Sequence, residues 1–173
     1  TEITFPPSFD DVQAPSFDCL DTFPVFPNGH PSTDTTGIPT GGMCDNIGII
    51  MTDLRFETCG AGFKIARSWF VIEWCSQESV TRNQIILVKD KLAPSFVCPE
   101  DFTVGTGFYQ CATGQETLPL PEFVTDCSDY QTLVTISNTS GQNFNANLFF
   151  SNQNYYINNL PLGNYIVTYI LID

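Results

Sequence analysis

The sequence predicts an all-β fold of two sandwich-type modules in tandem. Three observations carry that expectation: short β-rich runs set apart by turn residues, almost no helical periodicity, and an internal repeat. The runs are 47–52, 63–74, 84–88, 133–137, 148–150, 155–157 and 165–172, and 12 Gly plus 12 Pro punctuate the chain. In the last run Ile166, Thr168 and Ile170 share one face and Tyr165, Val167 and Tyr169 the other. Strand geometry sends successive side chains to opposite faces, so a run apolar on both faces suits the centre of a sandwich. Trp69 and Trp74 lie five apart on one run and point to opposite faces; one of them is expected in the core.

A boundary falls near residue 90, where a strand ending at Asp90 is followed by Lys91-Leu-Ala-Pro94 and then a new strand. Pro94 fixes φ and stiffens a short connection. The modules are placed at 1–90 and 91–173. The repeat supports the split: Ile3-Thr-Phe-Pro-Pro-Ser-Phe-Asp10 lies on Phe96-Val-Cys-Pro-Glu-Asp-Phe-Thr103, so Cys19 falls opposite Cys111 and Phe5 opposite Cys98. Cys44 precedes one strand as Cys127 precedes another, and 64–75 matches 164–173. Module one continues with Cys75 and a further strand, whereas the given sequence of module two stops at Asp173. Module two is therefore expected to lack its last strand, which would leave an open ladder of backbone groups. The expectation is a piece of a longer polypeptide, or an edge filled by another chain.

Length and charge narrow the function. A chain of 173 residues buries a real core, and 42% hydrophobic residues make it globular. Only 14% of residues are charged, and six Lys+Arg face 19 Asp+Glu for a net −13. That balance argues against nucleic acid and against anionic membranes. The longest weakly polar run, 160–172, is 13 residues and is broken by Pro161, Gly163 and Asn164, too short to span a bilayer as a helix. The chain has no initiator Met and no signal peptide, and reads as a mature or excised piece.

Seven widely spaced cysteines without a CxxC pair, and a single His30, argue for disulfides in an oxidising compartment rather than zinc. By the repeat, Cys98–Cys111 closes a local loop. Cys44–Cys75 would parallel Cys127 with a downstream cysteine, leaving Cys19–Cys59, although four cysteines allow three pairings. Cys127 is expected to be unpaired within the chain or paired downstream.

Catalysis is not expected. His30 sits in a turn-like Asn-Gly-His-Pro loop and is expected to be exposed, no Gly-x-Ser-x-Gly elbow exists, and no matched acid and nucleophile are positioned for glycoside hydrolysis. No cofactor is expected. Calcium is the one ion that the carboxylates Asp10, Asp11, Asp18 and Asp21, or Asp90, Glu100, Asp101, Asp126 and Asp129, could suit; without an Asp-x-Asp-x-Asp-Gly loop they read as a solvated acidic surface.

The chemistry that stands out is uncharged. No charged residue occurs from Gln131 to Ile172, and half of the residues 142–159 are Asn or Gln, interleaved with Phe144, Phe149, Phe150, Tyr155 and Tyr156. Amide and aromatic side chains make contacts independent of charge, as protein interfaces and sugar sites do, so these five residues are the candidate interface. Asn138-Thr-Ser140 has the N-linked glycosylation pattern. Thr35, in Asp34-Thr35-Thr36, is a candidate O-glycan acceptor on an expected exposed loop; the pattern resembles the short Asp-Thr-centred acceptor of Bacteroidetes.

Several of these motifs together carry a resemblance. Lys64-Ile-x-Arg-x-Trp-x-Val-Ile-x-Trp-Cys75, Gln84-Ile-Ile-x-Val-x-Asp90, Ala93-Pro94, Cys98-Pro99-x-Asp101-x-Thr-Val104, Leu118-Pro-x-Pro121, Thr125-Asp-Cys127 and Leu160-Pro-Leu-Gly-x-Tyr-x-Val-Thr-Tyr169 follow in order. This resembles the hyalin-repeat-like, immunoglobulin-like tandem modules of giant Bacteroidetes cell-surface proteins. The resemblance implies immunoglobulin-like modules and type IX secretion to the cell surface. It also implies a structural role in an extracellular filament or adhesin. The partners would be neighbouring modules of the same polypeptide or identical chains, with glycans or surfaces as further targets. The family's usual module continues after the Tyr169 strand with an Asp-x-Cys-Gly-Asn-like segment, which this sequence lacks. Rival expectations are a carbohydrate-binding module of a secreted polysaccharide-degrading enzyme, and a fibre subunit completed by strand exchange.

Overall fold

Three 11-residue strands organise the first half of the chain in a computed structural model that describes residues 2–43, 46–58 and 60–173. The chain divides into two compact units, Thr1–Leu92 and Ala93–Asp173. The fold is all-β, with five sheets among the described residues, one short α-helix and one 3-10 turn.

Unit 1 contains β1 (Ile3–Thr4), β2 (Phe17–Asp18), α1 (Thr33–Thr36), β3 (Thr40–Gly41), β4 (Ile47–Glu57), β5 (Phe63–Glu73) and β6 (Ser79–Lys89). The long strands form an antiparallel meander with Met51 opposite Trp69 and Trp69 opposite Arg82. β2 adds parallel to the other edge of β6, giving the order β2-β6-β5-β4, while β1 and β3 form a separate pair. The period-2 alternation of β5 and β6 buries Ile65, Trp69, Val71, Ile86 and Val88 on one face, together with Arg67 and Gln84. Trp69 is thus the core tryptophan, and Trp74 is exposed.

The amino-terminal segment runs along the sheet and is pinned by its backbone. Phe9 N–H donates to Ile85 O (2.7 Å) and Leu87 N–H to Phe9 O (2.9 Å). The amide of Gln84 donates to Pro7 O and Thr36 O at 2.8 and 2.9 Å. Phe9, Phe17 and Phe23 stack in sequence at 4.8 Å between ring centroids. The opposite face of the sheet carries Ile50, Leu54, Phe56 and Phe70, all exposed. Gly48 on β4 leaves room there for an indole: a Cβ would lie 3.2 Å from the Trp74 ring and 2.9 Å from Ile72.

Unit 2 contains β7 (Ser95–Val97), β8 (Glu116–Thr117), β9 (Glu122–Thr125), β10 (Gln131–Asn138), β11 (Leu148–Ser151), β12 (Asn154–Ile157) and β13 (Tyr165–Ile172). They form the pairs β7-β9 and β10-β13 and the three-stranded sheet β11-β12-β8. The core is Leu118, Val134, Ile136, Ile157 and Leu160, with Phe144, Tyr155, Tyr165, Val167 and Tyr169 packed around it. Three tyrosine hydroxyls each donate to a backbone carbonyl: Tyr155 to Thr132 (2.5 Å), Tyr165 to Pro161 (2.8 Å) and Tyr169 to Pro119 (2.6 Å). β10 pairs with β13 antiparallel as β4 pairs with β5. β5 has β6 on its second edge, and among the described residues no strand pairs with the second edge of β13.

Candidate functional site

The candidate surface is built from the β11–β12 hairpin. Its two-residue turn, Asn152-Gln153, has φ of 47° and 62°, the left-handed pair that a tight hairpin needs and that Asn tolerates. The register sets Phe149 opposite Tyr156 and Phe150 opposite Tyr155. Alternation then separates the aromatics the sequence groups together. Tyr155 lies on the face of Leu148 and Ile157, against the core, and Phe144 packs on the core edge-on to Tyr165 at 5.1 Å. Phe149 and Tyr156 share the other face, nearly parallel at 17° and 5.7 Å apart. Phe150, beside the turn, is 60% exposed.

The amides between these rings have structural work. Asn145 Oδ1 accepts the Ile136 N–H (2.8 Å), and Asn147 Nδ2 donates to Asn158 O and Asn159 O. Asn143 Oδ1 accepts the Asn145 N–H. The Asn richness therefore fastens the hairpin to β10 and to its own return strand; Phe149 and Tyr156 present its outer face, and Phe150 is exposed beside the turn on the other. The outer face of β10–β13 adds exposed Leu133, Ile166, Ile170 and Ile172. Unit 2 as a whole has seven acidic residues and no Lys, Arg or His.

In unit 1 the titratable groups converge on a buried cluster that sequence reasoning missed. Arg67, fully buried, donates to both Asp53 oxygens (2.7 and 2.8 Å), to Thr36 Oγ1 (2.6 Å) and to Pro31 O (2.6 Å). His30 Nδ1 lies 3.1 Å from Asp53 Oδ2 with little of its side chain exposed, so the expectation of an exposed His30 is corrected. Burial pushes the Asp53 carboxyl up, but the hydrogen bonds and charge of Arg67, helped by His30, outweigh it and hold the group below the ordinary carboxylate range. Both Asp53 oxygens are taken by the guanidinium, so this cluster acts as a clamp that ties 30–36 to the sheet. The signal was present: residue 67 lies on the same alternation as Trp69 and Val71, which marks it as inward-facing.

Five of the acidic residues offered as calcium ligands, Asp10, Asp11, Asp18, Asp21 and Asp126, accept hydrogen bonds within the protein. Asp10 Oδ1 accepts the N–H groups of Val12 and Gln13. Asp11 pairs with Lys89 and accepts bonds from Ser16, and these partners, Lys89 foremost, hold its carboxyl well below the usual range. Asp18 accepts from Leu20 and Lys91 N–H, and Asp21 from the Asp18 N–H. Asp126 accepts from Cys127 N–H and Ser128 Oγ. Most of these bonds close local turns, while Asp11–Lys89 and Asp18–Lys91 tie the amino-terminal segment to the end of β6 and the residues after it.

The cysteines depart from the expected scheme. Cys98 and Cys111 are free and exposed rather than bridged. Backbone bonds between Gly107 and Ala112 and between Gln110 and Gly107 close 107–112 as its own turn. Cys111 belongs to that turn, whereas Cys98 follows β7 and lies near Tyr169, whose phenol burial and the Cys98 charge push up. Cys127, expected without an internal partner, is disulfide-bonded, as are Cys19 and Cys75. The Cys44 and Cys59 positions of the expected Cys44–Cys75 and Cys19–Cys59 pairs lie outside the described residues. Native alkylation without reductant is expected to label peptides containing Cys98 and Cys111. Mass mapping should find Cys19, Cys75 and Cys127 labelled only after reduction.

Both candidate glycosylation residues have defined surroundings. Thr35 is in α1, half-buried, with its hydroxyl 3.5 Å from Pro24 O, and Pro31, Ser32 and Thr36 beside it are buried; the expected exposed loop is a tucked helical turn. Asn138 uses its Oδ1 to accept the Ser140 and Gln142 N–H groups in an exposed turn. No protein-family model, curated protein or solved structure matches the chain.

Proposed function

We propose that the chain is a disulfide-stapled structural segment of an extracellular filament or surface adhesin, working by contact with neighbouring modules, identical chains or a surface. The observation that carries this reading is the uncharged apolar surface of unit 2: Phe149 and Phe150 exposed on the hairpin, with Tyr156 half-buried against Phe149, and exposed Leu133, Ile166, Ile170 and Ile172 on the outer face of β10–β13. A chain of net −13 repels its own copies, and contact is least opposed where no charge is carried. Disulfide-bonded Cys19, Cys75 and Cys127 suit an oxidising compartment. The resemblance to hyalin-repeat-like modules belongs to this proposal and points the same way.

The test is the Phe149→Ala/Tyr156→Ala double variant. Both rings lie on the outer face of the hairpin, so thermal stability should change little. Self-association by sedimentation velocity, or attachment to glycan-coated surfaces, should weaken by about 1 kcal/mol or more per ring lost from a contact. Association and attachment equal to wild type would remove this surface from the proposal. The near-parallel Phe149–Tyr156 pair also supports a carbohydrate-binding reading, since stacked rings suit the apolar faces of sugars. Binding of soluble glycans by this chain, lost in the same variant with self-association unchanged, would favour that second reading.

A further inference from the structure

Two backbone bonds fix which groups of β4 face away from β5. Trp74 N–H donates to Asn46 O at one end of the β4–β5 pairing, and Thr58 N–H to Gly62 O at the other, both at 3.1 Å. In an antiparallel ladder bonded pairs alternate with non-bonded ones, and both groups of a residue point to one side. The register between those ends is unbroken, so Gly48, Ile50, Thr52, Leu54 and Phe56 bond to β5. Ile47, Ile49, Met51, Asp53, Arg55 and Glu57 turn their N–H and C=O groups the other way. Among the described residues no strand or loop bonds to those groups. The chain neighbours of β4 are already placed, since β3 pairs with β1 and β5 holds the other edge.

Natural edge strands are guarded against pairing by shortness, proline, lysine or a bulge. β4 is 11 residues long, about twice the common strand length, with no Pro, no Lys and no break in register. Its charges are already matched within the chain, Asp53 by Arg67 and Arg55 by Glu57. Its outer face is apolar: Ile50 and Leu54 are 62% and 61% exposed, and Phe56 is exposed beside them. Lys64 is the one charged side chain among the outer-face positions of β4, β5 and β6, and none there is acidic.

We infer that β4 pairs antiparallel with β4 of a second copy of this chain, about a two-fold axis at Thr52. The pattern of the strand itself names this occupant. Antiparallel self-pairing over the whole strand sets Ile47 against Glu57, Ile49 against Arg55 and Met51 against Asp53 of the second copy. These are the residues whose backbone groups face away from β5. The same register sets Ile50 against Leu54 on both sides of the axis, Thr52 against Thr52, and Phe56 beside Gly48, where the Trp74 ring lies. The exposed apolar side chains meet one another, no like charges stand directly opposite, and a Thr–Thr pair is a favourable cross-strand contact. Contact of one patch with itself closes at two copies and joins two four-stranded sheets into one. The contact does not involve the Phe149–Tyr156 hairpin, so either surface can fail without the other.

The test is a cysteine at the axis. Cys98→Ser with Cys111→Ser removes the two free exposed thiols of the 173-residue protein. In that background Thr52→Cys should cross-link into a disulfide dimer on mild oxidation, because directly opposed residues of a non-bonded antiparallel pair lie within disulfide reach. Leu54→Cys, which faces Ile50 of the second copy, should cross-link far less. Without oxidant, sedimentation equilibrium of the wild type should find a dimer. Thr52→Lys should weaken it by roughly tenfold or more, since like charges then oppose each other at the axis. Thr52 is exposed, so circular dichroism should show Thr52→Lys folded. Phe149→Ala with Tyr156→Ala should leave this dimer intact; its loss there would move the contact to the hairpin and overturn the proposal. A monomer at every concentration overturns it as well. So does equal cross-linking of Thr52→Cys and Leu54→Cys, or a dimer unmoved by Thr52→Lys.

Discussion

Replacing Arg67 by alanine is expected to destabilise unit 1 by about 3–5 kcal/mol, because it leaves Asp53 buried without its counter-charge. The guanidinium has no exposure and bonds to four acceptor atoms on three residues, Pro31, Thr36 and Asp53. It also lies over the Phe26 and Trp69 rings at 5.5 and 5.8 Å. Arg67→Lys should recover little of the loss, since an ammonium cannot reproduce the planar fork on Asp53. Arg67→Leu with Asp53→Asn should be less damaging than Arg67→Ala alone, because no charge is then stranded. Urea midpoints followed by circular dichroism decide this, and equal midpoints for wild type and Arg67→Ala would refute the clamp. The cluster also fixes a pH dependence. Asp53 has a depressed pKa in the folded protein, so its contribution is complete above the unfolded value of about 3.9 and is lost as pH falls through the folded value. Acid unfolding should begin at a higher pH once Arg67 is removed.

Trp69→Ala is expected to cost about 3–5 kcal/mol through the cavity it leaves on the buried face of the sheet. The side chain is 2% exposed, and its indole N–H donates to Gln84 Oε1 at 3.2 Å. Gln84 in turn anchors the 7 and 36 carbonyls, so the substitution loosens the amino-terminal segment as well. Trp74→Ala, at an exposed site on the opposite face, is the internal control and should cost far less. A larger loss from Trp74→Ala than from Trp69→Ala would place the core on the wrong side of the sheet. The two tryptophans also separate optically: Trp69 should emit at short wavelength and resist quenching, and Trp74 should be quenched by acrylamide.

Much of the strand plan was legible in the sequence. The expected run 63–74 is β5 at Phe63–Glu73, and 165–172 is β13 residue for residue. Alternation of β-branched and aromatic residues is a local signal, and in those strands the local signal agrees with the burial. The expected run 84–88 grew to Ser79–Lys89 because Thr81 to Asn83, polar and exposed, are held by the register with Phe70, Trp69 and Ser68 rather than by their own preference. What stayed hidden was non-local. Nothing near Arg67 in the sequence announces Asp53, Thr36 and Pro31, which the meander and the amino-terminal segment bring to it from 14, 31 and 36 residues away. The aromatics of 142–159 looked equivalent until the hairpin register turned Tyr155 inward and Phe149 outward. The cysteine scheme was drawn by analogy between the halves, whereas Cys111 sits in the tight 107–112 turn, Cys98 follows β7, and both are free.

The tyrosine hydroxyls of unit 2 carry a consequence for the medium in which the protein operates. Unit 1 is fastened by ion pairs such as Arg55–Glu57 and Lys89–Asp11, exposed enough for dissolved ions to screen. The tertiary fasteners of unit 2, Tyr155 on Thr132 and Tyr169 on Pro119, are neutral hydroxyls on neutral carbonyls, and they present no net charge for a counter-ion to mask. Brine and dilute buffer should therefore leave their strength alike, so a change in salinity would act on the two halves of the chain unequally.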